Sequence, residues 1–387
     1  MRFFHLSDLH IGKQLHHYNL KEDQKAVLKE IIDYARQLHP DAILIAGDIY
    51  DKSIPSAEAV TIFDEFLMDL SAIEPAIPVL LISGNHDSAE RLRYAAGFLK
   101  RHHIYVAANV PKTPEEFIEK VTLEDEFGKV NFYLLPFLKP SYVRNVSEEV
   151  PETYTDAVKM LLEREQINVN ERNVLVTHQF YTGASRPETC DSETISVGGL
   201  DNVDVSILED FDYVALGHLH GKQRVKEEHI RYCGTPLKYS VSEAGHEKSL
   251  TMVTMKEKGE TLEITELPFH PIRDVKKKRG CLKELLEEAG TGKCDDYVSI
   301  TLTDEIDPYR PKDQLEKVYS HILEIRMDNQ RTRNKLLEFD EEIVVKDPFE
   351  AFADFYMEMQ GRNLNEEERE YVTKVFEQAG GINDASN

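Results

Sequence analysis

The chain has 387 residues, of which 41% are hydrophobic and 30% are charged, values typical of a globular protein with a large core and more than one domain. Its net charge of −25 excludes a passive coat for nucleic acid. It does not exclude an enzyme that acts on DNA, because bound divalent ions invert the local potential of a carboxylate-rich site.

The start of the chain and its cysteines favour a cytoplasmic protein. Residues 1–6 run directly into a polar motif, so removal of a signal peptide would destroy that motif. No apolar stretch approaches the roughly 20 residues of a membrane span. The cysteines lack Cys-x-x-Cys spacing, which is typical of reduced thiols; they are Cys190, Cys233, Cys281 and Cys294. We therefore expect no contact with a membrane.

The first part of the chain alternates short apolar strands with amphipathic helices. Strands are predicted at residues 2–7, 42–46, 78–82 and 104–106. Helices are predicted to begin near Asn19, Ser56 and Ser88, each of which is a favourable N-cap residue. This alternation indicates an α/β core with a largely buried sheet.

The middle of the chain adds further strands. We predict a hairpin at 120–136, a helix at 152–165, strands that lead into His178 and His218, and a polar loop at 181–206 over the site. Residues 230–234, 249–256 and 261–267 are predicted to be strands of a second sheet. The expected architecture is two packed sheets with outer helices.

The pattern changes after Pro268–Pro271. A small α+β unit is predicted from helices at 281–289 and 311–320 and strands at 297–303 and 322–328. A charged linker at 331–342 and two amphipathic helices at 348–356 and 363–379 follow. Lys276–Arg279 is a dense basic run, which is either a solvated strand edge or a contact to DNA.

Five polar motifs stand directly after predicted strands. They are Ser7-Asp8-Leu9-His10, Gly47-Asp48-Ile49-Tyr50-Asp51, Gly84-Asn85-His86-Asp87, Thr177-His178-Gln179 and Gly217-His218-Leu219-His220. Each motif alone is a weak signal, but all five in this order predict a site for two divalent metal ions. Such a pair of ions can clamp the attacking and leaving oxygens of a phosphoester displacement.

The residue types assign chemistry to this site. Asp8 and His10, two residues apart, can bind one metal, and Asp48 is the natural carboxylate to bridge two. Asn85 supplies a neutral oxygen, and His178, His218 and His220 complete the ligands. Imidazole and carboxylate together suit manganese, iron or zinc better than calcium.

His86 is predicted to be catalytic rather than a ligand. It can stabilise charge on the phosphate or protonate the leaving oxygen, with Asp87 orienting its ring, while the metals activate a water as nucleophile. The chain has no Walker-type phosphate loop, so we expect no ATP hydrolysis by this chain alone.

With these motifs the chain resembles the calcineurin-like metallophosphoesterases, and more narrowly the bacterial nuclease subunits that act with an SbcC-type ATPase. The resemblance rests on Asp-Leu-His-Ile-Gly-Lys at 8–13, Gly-Asp-Ile-Tyr-Asp at 47–51, Gly-Asn-His-Asp at 84–87, Gly-His-Leu-His at 217–220, Gly-Thr-Pro at 234–236 and Pro-Phe-His-Pro at 268–271. It is strong through about residue 275 and weaker beyond.

The resemblance implies a four-layer α/β/β/α sandwich with a smaller α+β capping domain and C-terminal partner-binding helices. The implied domains are a nuclease domain at 1–270, a capping domain at 271–335, and a linker with ATPase-binding helices at 336–387. It further implies a homodimer, formed through helices near 57–70 and 89–100, within a heterotetramer with the ATPase. The apolar stripe of Phe349, Phe352, Phe355 and Tyr356 is then either a partner-binding face or core packing.

For activity, the resemblance implies two Mn²⁺ ions, 3′-to-5′ exonuclease action on double-stranded DNA ends and endonuclease action on hairpin or single-stranded DNA. The role is in recombination, replication and repair at the nucleoid. One ion would be held by Asp8, His10, Asp48 and His220, and the other by Asp48, Asn85, His178 and His218. Some relatives carry a catalytic histidine at the position of Asp51. An ionised aspartate cannot donate a proton in the same way, so we leave Asp51 out of the catalytic set.

Two other functions fit the same motifs. A phosphatase or cyclic-nucleotide phosphodiesterase would use the same metals, but Lys52, Ser53 and Asp87 stand where protein phosphatases of this class carry Arg-Gly and Glu. A non-enzymatic scaffold predicts eroded ligands, whereas every expected ligand is present.

Overall fold

The structure, a computed structural model, describes residues 1–183, 187–193, 201–290, 292–332 and 348–378. Its strands are β1 Arg2–Leu6, β2 Gln14–Leu15, β3 Tyr18–Asn19, β4 Ala42–Ala46, β5 Val79–Ile82, β6 Ile104–Ala107, β7 Glu119–Asp125, β8 Gly128–Leu135, β9 Arg172–His178, β10 Phe180–Thr182, β11 Asn202–Asp204, β12 Tyr213–Gly217, β13 Gln223–Val225, β14 Glu227–Tyr232, β15 Ser249–Thr254, β16 Glu263–Pro268, β17 Val275–Gly280, β18 Cys294–Leu302 and β19 Tyr319–Met327.

The helices match most of the amphipathic segments. They are α1 Lys21–Leu38, α2 Ala57–Ser71, α3 Ala89–Leu92, α4 Ala96–Leu99, α5 Tyr154–Arg164, α6 Leu282–Glu288, α7 Pro311–Leu315, α8 Pro348–Gln360 and α9 Glu366–Gln378. As predicted, Ser56 caps α2 by accepting the Ala59 N–H at 3.1 Å. None of the helices in the described part of the chain combines the length and apolarity needed to cross a bilayer.

Two helix predictions were wrong. Residues 89–100 do not form one helix, because Ala95 takes a left-handed conformation with φ +63° that separates α3 from α4. The helix predicted at 311–320 ends at Leu315, because the carbonyl of Val318 accepts the Cys294 N–H (2.8 Å) and starts the chain into β19. Local periodicity could not show that competing pairing.

The first of two large sheets has six strands in the order β16-β15-β1-β4-β5-β6. Strands β1, β4, β5 and β6 are parallel, whereas β15 and β16 are antiparallel to their neighbours. The prediction that residues 249–256 and 261–267 lie in a second sheet was therefore wrong. Phe4 of β1 pairs with Met252 of β15, so this late hairpin extends the sheet that the start of the chain begins.

The other large sheet also has six strands, in the order β13-β14-β12-β9-β8-β7. Strands β14, β12, β9 and β8 are parallel, with antiparallel strands at both edges. The parallel strands that precede His178 and His218 are thus neighbours, with Gly217 opposite His178.

Alternating side chains distribute the apolar residues of the sheets over three layers of core. Leu44 points into the cluster between the sheets, while Ile43 and Ile45 join the cluster under α1 and α2. The second sheet packs its other face against α5 through residues such as Leu161. Phe3 and Phe132 meet edge to face between the sheets, with centroids 5.8 Å apart. The predicted four-layer α/β/β/α sandwich is confirmed.

The small α+β unit contains a three-stranded sheet in the order β17-β18-β19 with helices α6 and α7. Tyr297 of β18 donates to the Asp23 carboxylate of α1 at 3.0 Å, and Arg273 donates to the same carboxylate at 3.1 Å. Lys276 and Lys278 of β17 form ion pairs with Asp296 and Glu288.

By compactness the chain forms two units, one of residues 1–301 and 309–326 and another of residues 302–308 and 327–387. In the second unit, Arg362 joins Glu368 at 2.7 Å and the Tyr356 hydroxyl at 2.7 Å, which fixes α8 against α9. Phe355 stays 58% exposed, whereas Phe349 lies under the Arg369 guanidinium. Linker residues 333–347 and the end of the chain from 379 lie outside the described residues.

Candidate metal centre

The predicted ligands lie where parallel strands of both sheets end. Asp8 and Asp48 follow β1 and β4, and Asn85 follows β5 of the first sheet. His178 ends β9, and His218 follows β12 of the second sheet. Carboxyl ends of parallel strands meet at one edge of a sheet, and two stacked sheets bring two such edges together. All seven predicted ligands therefore come from one end of the sandwich.

Three glycines that precede predicted ligands are required because a larger side chain would clash with neighbouring atoms. A Cβ at Gly84 would lie 2.1 Å from the Asp48 carboxylate, and one at Gly217 would lie 1.9 Å from the carbonyl oxygen of Ala46. Gly47 has φ +87°, and a Cβ there would approach the His178 ring to 2.4 Å. These three glycines let neighbouring strand ends approach closely enough for their polar side chains to converge.

Four ligand residues have backbones in the left-handed region. Their φ angles are 53° at Asp8, 43° at His10, 51° at Asp48 and 104° at His218. Such a conformation costs about 1–3 kcal/mol for a residue other than glycine and persists where the surroundings enforce it. Here backbone hydrogen bonds enforce it, because the Asp8 N–H donates to Gly47 (3.0 Å) and the His10 N–H donates to Asp48 (2.9 Å).

One ligand cluster contains Asp8, His10 and His220, all fully buried. The Nε2 atoms of His10 and His220 lie 3.2 Å apart, so both rings point at the same volume. Burial lowers the pKa of His10 well below its ordinary value, although the Asp48 carboxylate acts to raise it, and keeps this ring neutral. Neutral imidazole nitrogens that converge beside a carboxylate suit a divalent transition metal.

The other cluster contains Asp8, Asp48 and His178, with Asn85 and His218 beside it. The Asn85 Oδ1 lies 3.0 Å from His178 Nε2 and 3.1 Å from His218 Nδ1. Asp48 Oδ2 is 3.4 Å from His178 Nε2 and 3.6 Å from His10 Nε2, so one carboxylate reaches both clusters.

The charges of the side chains in the two clusters favour a bound cation. Although burial alone would lower it, the Asp48 and Asp8 carboxylates raise the pKa of His178 to about 9, so a proton on that ring takes up negative charge. Burial and the nearby His178 lower the pKa of His218 to about 3. The donor set therefore fits divalent ions: buried carboxylates, neutral rings, and one ring that a metal must deprotonate.

His86 lies within the same constellation, because one of its ring nitrogens groups with His10 and Asp48. Its Nδ1 is 2.9 Å from the carbonyl oxygen of Asp51, which accepts the Nδ1–H and leaves Nε2 for the site. The prediction that Asp87 orients this ring was wrong. The Asp87 carboxylate instead accepts backbone N–H groups of Gly84, Ile49 and Tyr50 at 2.9–3.1 Å.

Asp51 lies beside the centre, where its carboxylate joins Lys13 at 2.8 Å and stands 3.7 Å from His10 Nδ1. The predicted loop at 181–206 is described only at 181–183, 187–193 and 201–206. Within it, Glu193 accepts the His220 backbone N–H at 2.6 Å and Ser192 Oγ lies 2.7 Å from His220 Nδ1.

Sequence reasoning missed several supporting residues. Gln24 donates to the His10 carbonyl (2.8 Å) and accepts the Gly12 N–H (3.0 Å), which fixes the turn that carries Asp8 and His10. Glu243 is fully buried behind His220. The only signal for Gln24 was a polar residue on the apolar face of a helix; Glu243 carries no comparable local signal.

The fold and site define a class of protein: residues 1–222 match the family described as calcineurin-like phosphoesterases, and the chain belongs to that family. Residues 268–360 match a domain described as the type 5 capsule protein repressor C-terminal domain, designated SbcD_C. Membership of the phosphoesterase family implies divalent metal ions.

Within that family the chain groups with the SbcD proteins. It is 31% identical over 386 residues to the SbcD component of the nuclease SbcCD from Staphylococcus epidermidis, covering 97% of this chain and 98% of that protein. A solved structure, GAP50, the anchor in the inner membrane complex of Plasmodium, matches 70% of this chain and 89% of its own with 14% identity and a TM-score of 0.40. That likeness is too low to bear on fold or function.

Proposed function

We propose that this chain is the metal-dependent nuclease subunit of an SbcCD-type complex, and that it hydrolyses DNA phosphodiesters with two Mn²⁺ ions. The observation that carries the proposal is the Asp48 carboxylate, which reaches ring nitrogens of both ligand clusters (3.4 Å to His178 and 3.6 Å to His10). A single buried carboxylate between two sets of ligands is the arrangement that a two-metal centre needs.

The proposed ligands divide into two sets. One ion would be held by Asp8, His10, Asp48 and His220, and the other would be held by Asp48, Asn85, His178 and His218. When bound, the ions lower the pKa of a water and stabilise the charge that develops on the phosphate. The mixed nitrogen and oxygen donors suit Mn²⁺.

His86 acts as the catalytic residue. Because the carbonyl of Asp51 takes its Nδ1–H, its Nε2 is the atom that meets the substrate, where a proton on it stabilises the phosphate oxygen or passes to the leaving oxygen. The half-buried position of His86 supports contact with substrate rather than enclosure by protein; among the proposed ligands only Asn85 is similarly exposed.

The substrates proposed are double-stranded DNA ends, degraded 3′ to 5′, and hairpin or single-stranded DNA, opened endonucleolytically. The partner proposed is an SbcC-type ATPase, which the C-terminal helices bind, in a heterotetramer around a homodimer of this chain. The proposed domains are a nuclease domain (1–270), a capping domain (271–335) and a partner-binding segment (336–387). The proposed place of action is the nucleoid in the cytoplasm.

The exposed apolar residues of the first unit support the homodimer. Val60 and Met68 of α2 are 45% and 63% exposed, and Tyr94 and Phe98 around α3 and α4 are 84% and 62% exposed. Large apolar side chains grouped on helices of one region are typical of a protein–protein contact.

Cleavage of end-labelled duplex and hairpin DNA in Mn²⁺ tests the proposal, with and without chelator, the ATPase partner and ATP. We expect chelator-sensitive trimming from 3′ ends and hairpin opening, both increased by partner and ATP. The Asp48→Asn protein, purified in parallel, controls for contaminating nucleases. Inert DNA beside rapid turnover of a small chromogenic phosphoester would instead identify a phosphatase.

A further inference from the structure

Behind the proposed ligand His220 lies a hydrogen-bonded series of polar side chains, with Glu243 fully buried and Ser192 and Lys248 partly buried, that no step of the proposed reaction uses. The Ser192 hydroxyl lies 2.7 Å from His220 Nδ1 and donates to the Glu243 carboxylate at 2.6 Å. Lys248 donates to the other oxygen of that carboxylate at 2.7 Å. We infer that Ser192 and Glu243 are positioning residues that fix the tautomer and angle of His220 and thereby set the affinity of one metal position.

The direction of the bonds follows from the donor inventory. Because the Ser192 hydroxyl gives its single proton to ionised Glu243, its oxygen must accept from His220 Nδ1–H. The proton on Nδ1 leaves a lone pair on Nε2, the atom that lies 3.2 Å from His10 Nε2. The hydrogen bonds through Ser192 and Glu243 thus hold His220 in the only neutral form that can bind a metal through Nε2.

Glu243 can only accept from Ser192, because the other groups that contact its carboxylate are donors. It is fully buried, and it also accepts from the Ser240 hydroxyl at 2.9 Å and from the Tyr239 N–H at 3.2 Å. Lys248 also donates to the His220 carbonyl at 2.8 Å, so it holds both ends of the arrangement.

We call the hydrogen bonds that run from His220 through Ser192 to Glu243 the relay. The comparison with His178 shows that the relay acts on only one of the two metal positions. His178 Nδ1 is 2.7 Å from the Ala46 carbonyl, a backbone group that no side-chain substitution removes. His220 depends instead on a serine from the segment 187–193 and a glutamate from the segment after β14. Loss of the relay should therefore weaken the metal position at His220 and spare the position at His178.

The decisive variant is Ser192→Ala, which removes one hydroxyl from a half-buried turn and leaves Glu243 and Lys248 paired. We expect one of two Mn²⁺ ions to bind about 10–100-fold more weakly by titration calorimetry, which is the usual effect of an outer-shell partner. Electron paramagnetic resonance at limiting Mn²⁺ should change from the spectrum of a coupled pair to that of isolated ions. Ser192→Thr, which keeps the hydroxyl, should restore both readouts.

Ser242→Ala is the matched control. The Ser242 hydroxyl accepts the Asp191 N–H at 3.0 Å, so this variant loosens the same segment without touching the Ser192–His220 bond. Two wild-type Mn²⁺ affinities in Ser192→Ala would overturn the inference. Equal weakening in Ser242→Ala would also overturn it, because placement of the segment would then matter rather than the bond.

A second variant keeps the test independent of one substitution. Glu243→Gln retains an acceptor but removes the charge, and we expect the same one ion to weaken while the far-ultraviolet circular dichroism stays unchanged. The inference rests on the proposed two-metal function, but it fails separately. If the wild-type protein binds two Mn²⁺ ions but leaves DNA intact, the nuclease proposal fails and the inference about Ser192 and Glu243 stands. If Ser192→Ala cleaves DNA fully and binds both Mn²⁺ ions with unchanged affinity, the inference fails and the nuclease proposal stands.

Discussion

The two ends of the parallel strands treat buried charge in opposite ways. At the carboxyl ends, Asp8 and Asp48 are buried and face histidines, and within the described ranges no lysine or arginine forms an ion pair with either. At the amino ends, the buried guanidinium of Arg172 joins Asp125 at 2.5 Å and also donates to the carbonyls of Gly128 and Lys256. Both ends belong to the same sheets.

The difference separates function from stability. At the amino ends a protein cation neutralises Asp125, and Lys258 does the same for Asp212 at 2.8 Å. The carboxyl ends leave the matching positive charge to be supplied by a ligand and hold strained backbones at Asp8, His10, Asp48 and His218. Substitutions at the two ends should therefore have distinct effects, which the following experiments compare.

The largest effect is expected from Asp48→Asn at the carboxyl ends. Loss of the shared carboxylate removes a charge from both clusters, so cleavage of DNA should fall by several orders of magnitude. The fold should persist, because within the described residues no lysine or arginine pairs with Asp48, and asparagine keeps an oxygen that can accept the His86 N–H. Cleavage assays with circular dichroism would measure both, and retained activity in a folded protein would contradict the two-metal assignment.

His86→Ala should slow cleavage by about 10²–10⁴-fold, the usual contribution of a general acid or base. The content of bound metal should stay that of the wild type, because all seven proposed ligands remain. Single-turnover cleavage and elemental analysis would measure the two quantities. If metal is lost in proportion to activity, His86 is a ligand. Because His86 lies beside His10 and Asp48, the measurement distinguishes these two roles directly.

Gly217→Ala should disrupt the carboxyl ends through packing alone. Its Cβ would lie 1.9 Å from the Ala46 oxygen and 2.7 Å from His178 Nδ1, both of which are fixed. We expect a loss of about 3 kcal/mol or more in the free energy of unfolding, measured by thermal denaturation. Gly97→Ala is the control, because a Cβ there meets nothing within 4 Å. Equal losses in both variants would refute the argument from close approach.

Asp125→Asn tests the amino ends and should spare the metal site. Although burial alone would raise it, hydrogen bonds from Arg172 hold the pKa of Asp125 well below its ordinary value. The stabilisation is therefore complete above about pH 4, the unfolded pKa, and is lost as pH falls below it. We expect a loss of about 1–3 kcal/mol at neutral pH.

Thermal denaturation across a pH series measures this effect. The difference between Asp125→Asn and wild type should shrink as pH falls below about 4, since the unfolded wild-type chain then binds a proton on Asp125 that the folded chain excludes. Mn²⁺ affinity near pH 7 should be unchanged. A large loss of affinity in Asp125→Asn would mean that the two ends are coupled.

The sequence predicted the carboxyl ends well because the signals there are local. Each of the five motifs that carry the proposed ligands lies at the end of its own apolar strand, and a glycine marks the close approach at 47, 84 and 217. The sandwich followed from the alternation of strands and helices. The same local signals predicted the hairpin at 120–136, now seen as β7 and β8.

What the sequence did not predict depends on pairing between distant segments. Strands β15 and β16 join the first sheet because β15 pairs with β1, and no pattern within 249–268 specifies that neighbour. The ring of His86 is fixed by a backbone carbonyl, that of Asp51, rather than by the adjacent Asp87, and sequence carries no signal for such a bond. Glu243 behind His220 was missed for the same reason.

The distance along the chain between the ligands bears on when the protein first becomes active. The His218 N–H donates to the Asp8 carboxylate at 3.0 Å across 210 residues, and β1 gains its β15 neighbour only after residue 249 has been made. A ribosome adds about 5–20 residues each second, so the first carboxylates wait many seconds for their last partners. During that interval the nascent chain cannot assemble the complete centre, so any hydrolysis that needs both ligand clusters waits until His218 and His220 have been added.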